Sequence, residues 1–147
     1  LVKSKHILFY SRLLEGTYPD TSRIIPQGCK TEITVSTKEF LQSIERASLL
    51  SREGKSNVVR LMTLPDGSVE ITSNAPEIGK VTEIVAPKSL NGEDLKISFN
   101  AKYMIDALRS IDSSEIKASF TGPMSPFVIC PTDHDWMLHL ILPVRTY

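Results

Sequence analysis

The chain has 147 residues, 41% hydrophobic and 23% charged, which suits one globular core and is too short for two full domains. Its 17 basic and 17 acidic residues cancel, so attraction to nucleic acid has to come from a local basic face, not from the whole molecule. No apolar run approaches the roughly 20 residues needed to cross a bilayer. The opening LVKSKHILFY carries neither an initiator Met nor a signal-peptide cleavage pattern, and a start in mid-strand reads as part of something longer. Cys29 and Cys130 form no CxxC pair, which suits a reducing cytosol.

In chain order, Val2 to Leu14 is rich in Ile, Leu, Phe and Tyr and predicts a strand with a bend near Tyr10. The stretch YSRLLEGTYPDTSRIIP, Tyr10 to Pro26, follows as a semi-rigid connector. Its two prolines fix φ and push the preceding residues toward extended geometry. Thr31 to Val35 alternates as a strand. Ser36 and Glu39 then fit a capping box, and Phe40, Leu41, Ile44 and Ala47 recur at helical spacing, so a helix is predicted from Thr37 to about Ser51. At least one of Leu49 and Leu50 should fall outside its core stripe. Three strands are predicted next, at Val58–Leu64, Ser68–Asn74 and Lys80–Ala86, with Pro65-Asp66-Gly67 as the first hairpin turn.

After a polar loop around Asn91-Gly92 the order begins again. Leu95–Phe99 predicts a strand, Asn100 caps a helix with Met104, Ile105 and Leu108 on its core face, and strands follow at Ile116–Phe120, Pro126–Cys130 and Trp136–Leu142. EITVSTKEFLQSIERA and LKISFNAKYMIDALRS match in pattern nearly position for position, as do KVTEIVAP and MLHLILP. The chain is therefore an internal duplication of a β-α-β-β-β unit. The expected class is α+β, with two helices on one face of antiparallel sheets and a pseudo-two-fold axis.

Catalytic signatures are absent: no GxSxG, GxxxxGK[ST], GxGxxG or HExxH occurs. A metal site from Asp133, His134 and Asp135 is conceivable. Adjacent turn residues point in different directions, however, and no other ligand cluster completes a shell, so the turn reads as a solvated hairpin tip. Lys38 and Arg46 on the first helix and Lys102 and Arg109 on the second lie away from the core. They are either a mixed-charge solvated face or a set of phosphate contacts.

The connector, the terminal LPVRTY and the duplicated unit together resemble one family, the bacterial sliding clamp or DNA polymerase III beta subunit, and the ending RTY is in the style of its Gram-positive members. The resemblance covers the whole chain. It implies a sliding-clamp (processivity-fold) domain: residues 1–26 as the last strand of a central domain plus the connector, and residues 27–147 as a complete third domain. It also implies a non-catalytic function, encircling duplex DNA in a ring, conferring processivity on the replicative polymerase and docking short linear motifs, in the cytoplasm and without cofactor or metal. Expected partners are the polymerase III alpha subunit, the clamp loader and other motif-bearing proteins. Carried over by position, the motif pocket is Pro19, Arg23 and Ile24 from the connector, Met124, Ser125 and Pro126 from a hairpin, and Leu140, Ile141, Leu142, Pro143, Val144 and Arg145 from the terminal strand. The head-to-tail ring interface takes Leu49, Leu50, Glu77 and Glu83. By the same resemblance, Lys38, Arg46, Lys102 and Arg109 are expected to face DNA. A full-length chain forms a dimer, and this shorter one is expected to be a monomer with half of the pocket. The competing readings are a stand-alone α+β enzyme domain using the His134/Asp135 turn and a module related to clamps in fold only.

Overall fold

Two β-α-β-β-β units build this chain, and neither completes its own sheet. The computed structural model describes residues 1–18, 20–53, 57–76 and 78–145, residues 52 and 53 by their backbone. Pro19 and Glu77 of the predicted sites lie outside the described residues. The first unit comprises β3 (Thr31–Ser36), α1 (Thr37–Glu53), β4 (Val58–Thr63), β5 (Val69–Ala75) and β6 (Gly79–Val85). The second comprises β8 (Lys96–Asn100), α2 (Ala101–Ser110), β9 (Glu115–Phe120), β10 (Phe127–Pro131) and β11 (His139–Ile141), and β7 (Ser89–Gly92) lies between them. One sheet has the order β11-β10-β9-β3-β7 and the other β6-β5-β4-β8. Each unit thus lends its first strand to the other's meander: β3 runs antiparallel to β9 and β8 antiparallel to β4.

The duplication is visible atom by atom. The first amide of α1, Thr37 N, donates to Ser114 O just before β9 (3.0 Å), and Ala101 N of α2 donates to Asn57 O just before β4 (2.7 Å). Lys88 N, after Pro87, donates to Thr34 O on β3 (2.8 Å), and Val144 N, after Pro143, donates to Ser98 O on β8 (2.7 Å). The polar loop expected around Asn91-Gly92 is in fact strand β7 on the edge of β3. Its residues are too polar to read as a strand, and main-chain pairing rather than side-chain burial holds it there.

Local signals explain most boundaries. Ser36 Oγ accepts from Glu39 N at 3.4 Å, one half of the predicted capping box, and Asn100 Oδ1 accepts from Lys102 N at 2.9 Å. At the β4–β5 turn Asp66 Oδ1 accepts from the amide and hydroxyl of Ser68, and Gly67 takes φ 82°, which a side chain would resist. The amino-terminal segment departs from expectation. In place of one bent strand it forms a two-stranded hairpin, β1 (Val2–Lys3) and β2 (Leu8–Phe9), whose apolar side chains stand exposed. It lacks a facing layer within the described residues, so nothing extends its pairing.

The core is continuous through both sheets and both helices. Phe99 of β8, Phe127 of β10 and Phe120 of β9 meet at centroid distances of 5.6 and 4.7 Å, Phe127 touching both others. All three are fully buried, each contributing on the order of 2–3 kcal/mol from burial, with about 1 kcal/mol more per aromatic pair. α1 lies on β4, β5 and β6, α2 touches β8 and β11, and the helices touch each other. No helix of the described residues is long and apolar enough to cross a membrane.

Three substitutions test this arrangement. Phe127→Ala should destabilise the chain by about 3–5 kcal/mol in urea unfolding, since it opens the centre of the aromatic cluster. Gly92→Ala should cost more than Gly28→Ala, although both glycines have positive φ. A Cβ at Gly92 would stand 1.9 Å from Lys30 O, whereas one at Gly28 meets nothing within 4 Å. Equal losses for the two glycines would contradict the close approach of β7 to β3.

Candidate protein-docking and interface surfaces

The terminal segment is fixed by the second unit's copy of the β7 contact. Ile141 on β11 is buried, Leu142 is 65% exposed, Pro143 bridges to Phe99, and Val144 is half-buried beside Ser98. Pro143 lacks an amide hydrogen, so it occupies a position where no donor is needed, and Val144 supplies the bond. Across from it the β9–β10 loop brings Met124, itself exposed. Met124, Val144 and Arg145 line one groove together with Arg60, Lys96, Ser98 and Pro123. Leu140 and Ile141 instead line a second, shallower groove against α2, with Tyr103, Ala107 and His139. Ser125 and Pro126 are half-buried in the hairpin loop. Tyr103 was missed by the sequence reading, although an aromatic on the polar side of α2 is a usable signal.

The connector is ordered by its own acid. Asp20 Oδ1 accepts from the hydroxyl of Ser22 (2.6 Å) and its amide (3.1 Å), opening a single 3-10 turn over Thr21–Arg23, and Arg23 Nε lies 3.2 Å from Asp20 Oδ2. The Ser22 hydroxyl, then its amide, hold the Asp20 carboxyl below its ordinary value. Arg23 and Ile24 are exposed, while Ile25 and Pro26 are half-buried. Among the described residues no hydrogen bond or ion pair ties the connector to the terminal segment.

At the end of α1, Leu49 is 58% exposed and Leu50 half-buried, so one leucine does leave the core stripe. Beside it β6 is the free edge of its sheet and carries Ile84, also 56% exposed. Glu83 on β6 is gripped in a fork by Arg46 of α1: Nε to Oε1 at 3.1 Å and Nη2 to Oε2 at 2.7 Å. Two residues expected to serve different surfaces are therefore each other's partners. The Arg46 hydrogen bonds hold the Glu83 carboxyl below its ordinary value, and the same contact raises Arg46.

Two of the other helix cations are also engaged. Lys102 Nζ lies 2.7 Å from Asp106 of the same helix, and Arg109 Nη2 reaches Glu45 across the helix pair at 2.7 Å. Lys38 is exposed and makes no ion pair among the described residues. In the Asp133–Asp135 turn, His134 Nδ1 lies 2.7 Å from Asp133 Oδ1 and its ring stacks on Trp136 at 4.3 Å. Among the described residues no three His, Cys, Asp or Glu side chains cluster as metal ligands.

Solved structures that share this architecture include DNA polymerase sliding clamps. The crystal structure of the Bacillus subtilis clamp superposes with a TM-score of 0.87 at 58% identity, over 93% of this chain and 36% of that one. The beta chain of DNA polymerase III from Streptococcus pneumoniae superposes with a TM-score of 0.86 at 44% identity, over 92% and 36%. In sequence, the beta sliding clamps of Halalkalibacterium halodurans and Bacillus subtilis are 61% and 57% identical across the whole chain, which spans 39% of their length. The chain belongs to the family described as DNA polymerase III beta subunit, C-terminal domain, which matches residues 22–145. The resemblance seen in the connector and terminal motifs is thus shown, and the stand-alone enzyme reading finds no support among these relatives.

The fork at Glu83 makes a pH prediction. A carboxyl with a depressed folded pKa stabilises fully above its unfolded value and loses that contribution as pH falls through the folded value. Glu83→Gln should cost at most about 1 kcal/mol near pH 7, as an exposed pair does. The gap from the parent chain in urea unfolding should close below about pH 4. A pH-independent gap would show that packing, not the ion pair, sets it.

Proposed function

We propose that this chain supplies the third, carboxy-terminal domain of a sliding clamp that tethers the replicative DNA polymerase to duplex DNA and catalyses nothing itself. Residues 27–147 are this domain, and residues 1–26 are the last strand of the central domain followed by the connector. The observation that carries the reading is the terminal segment. Its backbone is pinned to β8 through Val144, while Leu142, Val144 and Met124 leave apolar surface beside it. Such a surface suits an extended motif of alternating apolar side chains, of the QLxLF type, borne by the polymerase III alpha subunit, the clamp loader or other replication and repair proteins. Arg23 and Ile24 form the opposite rim once the central domain stands beside them, and their exposure here agrees with that.

The other surfaces fit the same assembly. The unpaired β6 edge with Leu49, Leu50 and Ile84 is the ring contact to the first domain of a second subunit, a head-to-tail joint that extends one sheet into the next. Glu83 reaches that joint already balanced by Arg46. The helix pair faces DNA, with Lys38 and the exchangeable pairs of Arg46, Lys102 and Arg109 meeting phosphates in a non-specific, salt-sensitive way. The setting is the bacterial cytoplasm, at the replisome.

Fluorescence anisotropy with a labelled QLxLF-type pentapeptide tests the docking claim. Leu142→Asp should weaken binding about tenfold or more, the effect of losing one anchor contact. Thermal unfolding should stay close to that of the parent chain, because Leu142 is exposed. An unchanged affinity would remove the terminal groove from the reading.

A further inference from the structure

The four-stranded sheet turns one face to α1 and leaves the other without an assigned task. On that outer face Arg60 of β4 stands between Thr72 of β5 and Ser98 of β8, Met62 stands between Glu70 and Lys96, and Asn74 lies opposite Lys80 of β6. These side chains and the terminal segment bound a long groove. It contains four cations, Arg60, Lys80, Lys96 and Arg145, against the single carboxylate of Glu70. In a chain of zero net charge this is a local excess, and its setting differs from that of three of the helix cations. Arg46, Lys102 and Arg109 each lie against a carboxylate, whereas among the described residues Lys80, Lys96 and Arg145 lie against none.

The groove is continuous with the terminal one. Arg60, Lys96, Ser98, Val144 and Arg145 line both, so a chain leaving the apolar surface at Met124 and Val144 passes directly onto the basic face. We propose that this face is a second docking surface, which binds acidic residues flanking an apolar motif held in the terminal groove. The proposal rests on the docking reading above and extends it to a partner's flanking sequence. An acidic peptide fits better than nucleic acid for two reasons. The face lies on the side of the sheet away from the helices, and its floor mixes Val58 and Met62 with the small buried hydroxyls of Thr72 and Ser98, a strip suited to one extended chain. Charge pairing here would add selectivity and association rate more than raw affinity.

The test uses the whole chain and labelled peptides: the unextended motif, and the motif with four Glu or four Ser added at either end. One of the Glu-extended peptides should bind roughly fivefold more tightly than its Ser counterpart at about 50 mM salt, and the gain should vanish near about 500 mM. It should vanish too in the Asn74→Glu/Lys80→Glu double variant, which neutralises the face without changing any residue that lines the terminal groove, and whose affinity for the unextended motif should match that of the parent chain. Equal affinities for Glu- and Ser-extended peptides, or a gain that survives in the double variant, would overturn the proposal. So would a fluorescent oligonucleotide that loses affinity in the double variant while the Glu extension gains nothing, because the face would then serve nucleic acid. Failure of the unextended motif to bind would strike the docking reading itself, and this proposal with it. A normal motif affinity with no Glu effect strikes the basic face alone.

Discussion

Everything in this domain hangs on the exchange of two strands. β3 belongs by sequence to the first unit but is paired to β9 of the second, and β8 belongs to the second but is paired to β4 of the first. Neither unit can bury its own meander without the other, so the core forms once, across both. Phe99, Phe120 and Phe127 sit where the exchanged strand β8 and the second meander meet. Helix starts follow from the same pairing, because Thr37 and Ala101 each donate to the residue just before the other unit's meander. The terminal segment then has one place to go, along β8, as Pro87-Lys88 goes along β3.

That placement produces the surfaces. The two-fold leaves β6 as the open edge of one sheet, beside the apolar end of α1, and leaves the terminal segment as a partial edge on β8. An open edge with exposed branched side chains is a liability in an isolated domain and a joint in an assembly. The helix pair is electrostatically quieter than its basic residues suggest, because Glu83, Asp106 and Glu45 answer three of them. If the helix pair faces DNA as proposed, phosphates would have to exchange with those carboxylates, which favours weak, mobile contacts. The outer sheet face has the reverse character, with cations outnumbering carboxylates beside the terminal groove.

Much of this was legible before any coordinates. Both helices, their caps and eight of the strands lie where periodicity and turn chemistry put them, because each has one buried face and a clear stop signal. Internal duplication announced the symmetry. β7 was not legible, since Ser89–Gly92 is held by main-chain bonds to β3 and by the close approach of Gly92 to Lys30, neither of which leaves an alternating pattern. The hairpin at residues 2–9 misled in the opposite way: its apolar content looks like a core strand, yet its side chains are exposed. Among the site residues, Leu49, Leu142 and Val144 could be singled out as apolar side chains at ends. The Arg46–Glu83 fork could not, because 37 positions separate the two residues and only the packing of α1 on β6 joins them.

The most direct test of the account is to map where a bound motif peptide touches the chain, by intermolecular NOEs from its leucine and aromatic side chains. The account predicts contacts to the methyl groups of Met124, Leu142 and Val144. Contacts to Leu49 and Ile84 instead, with none at the terminal segment, would contradict it.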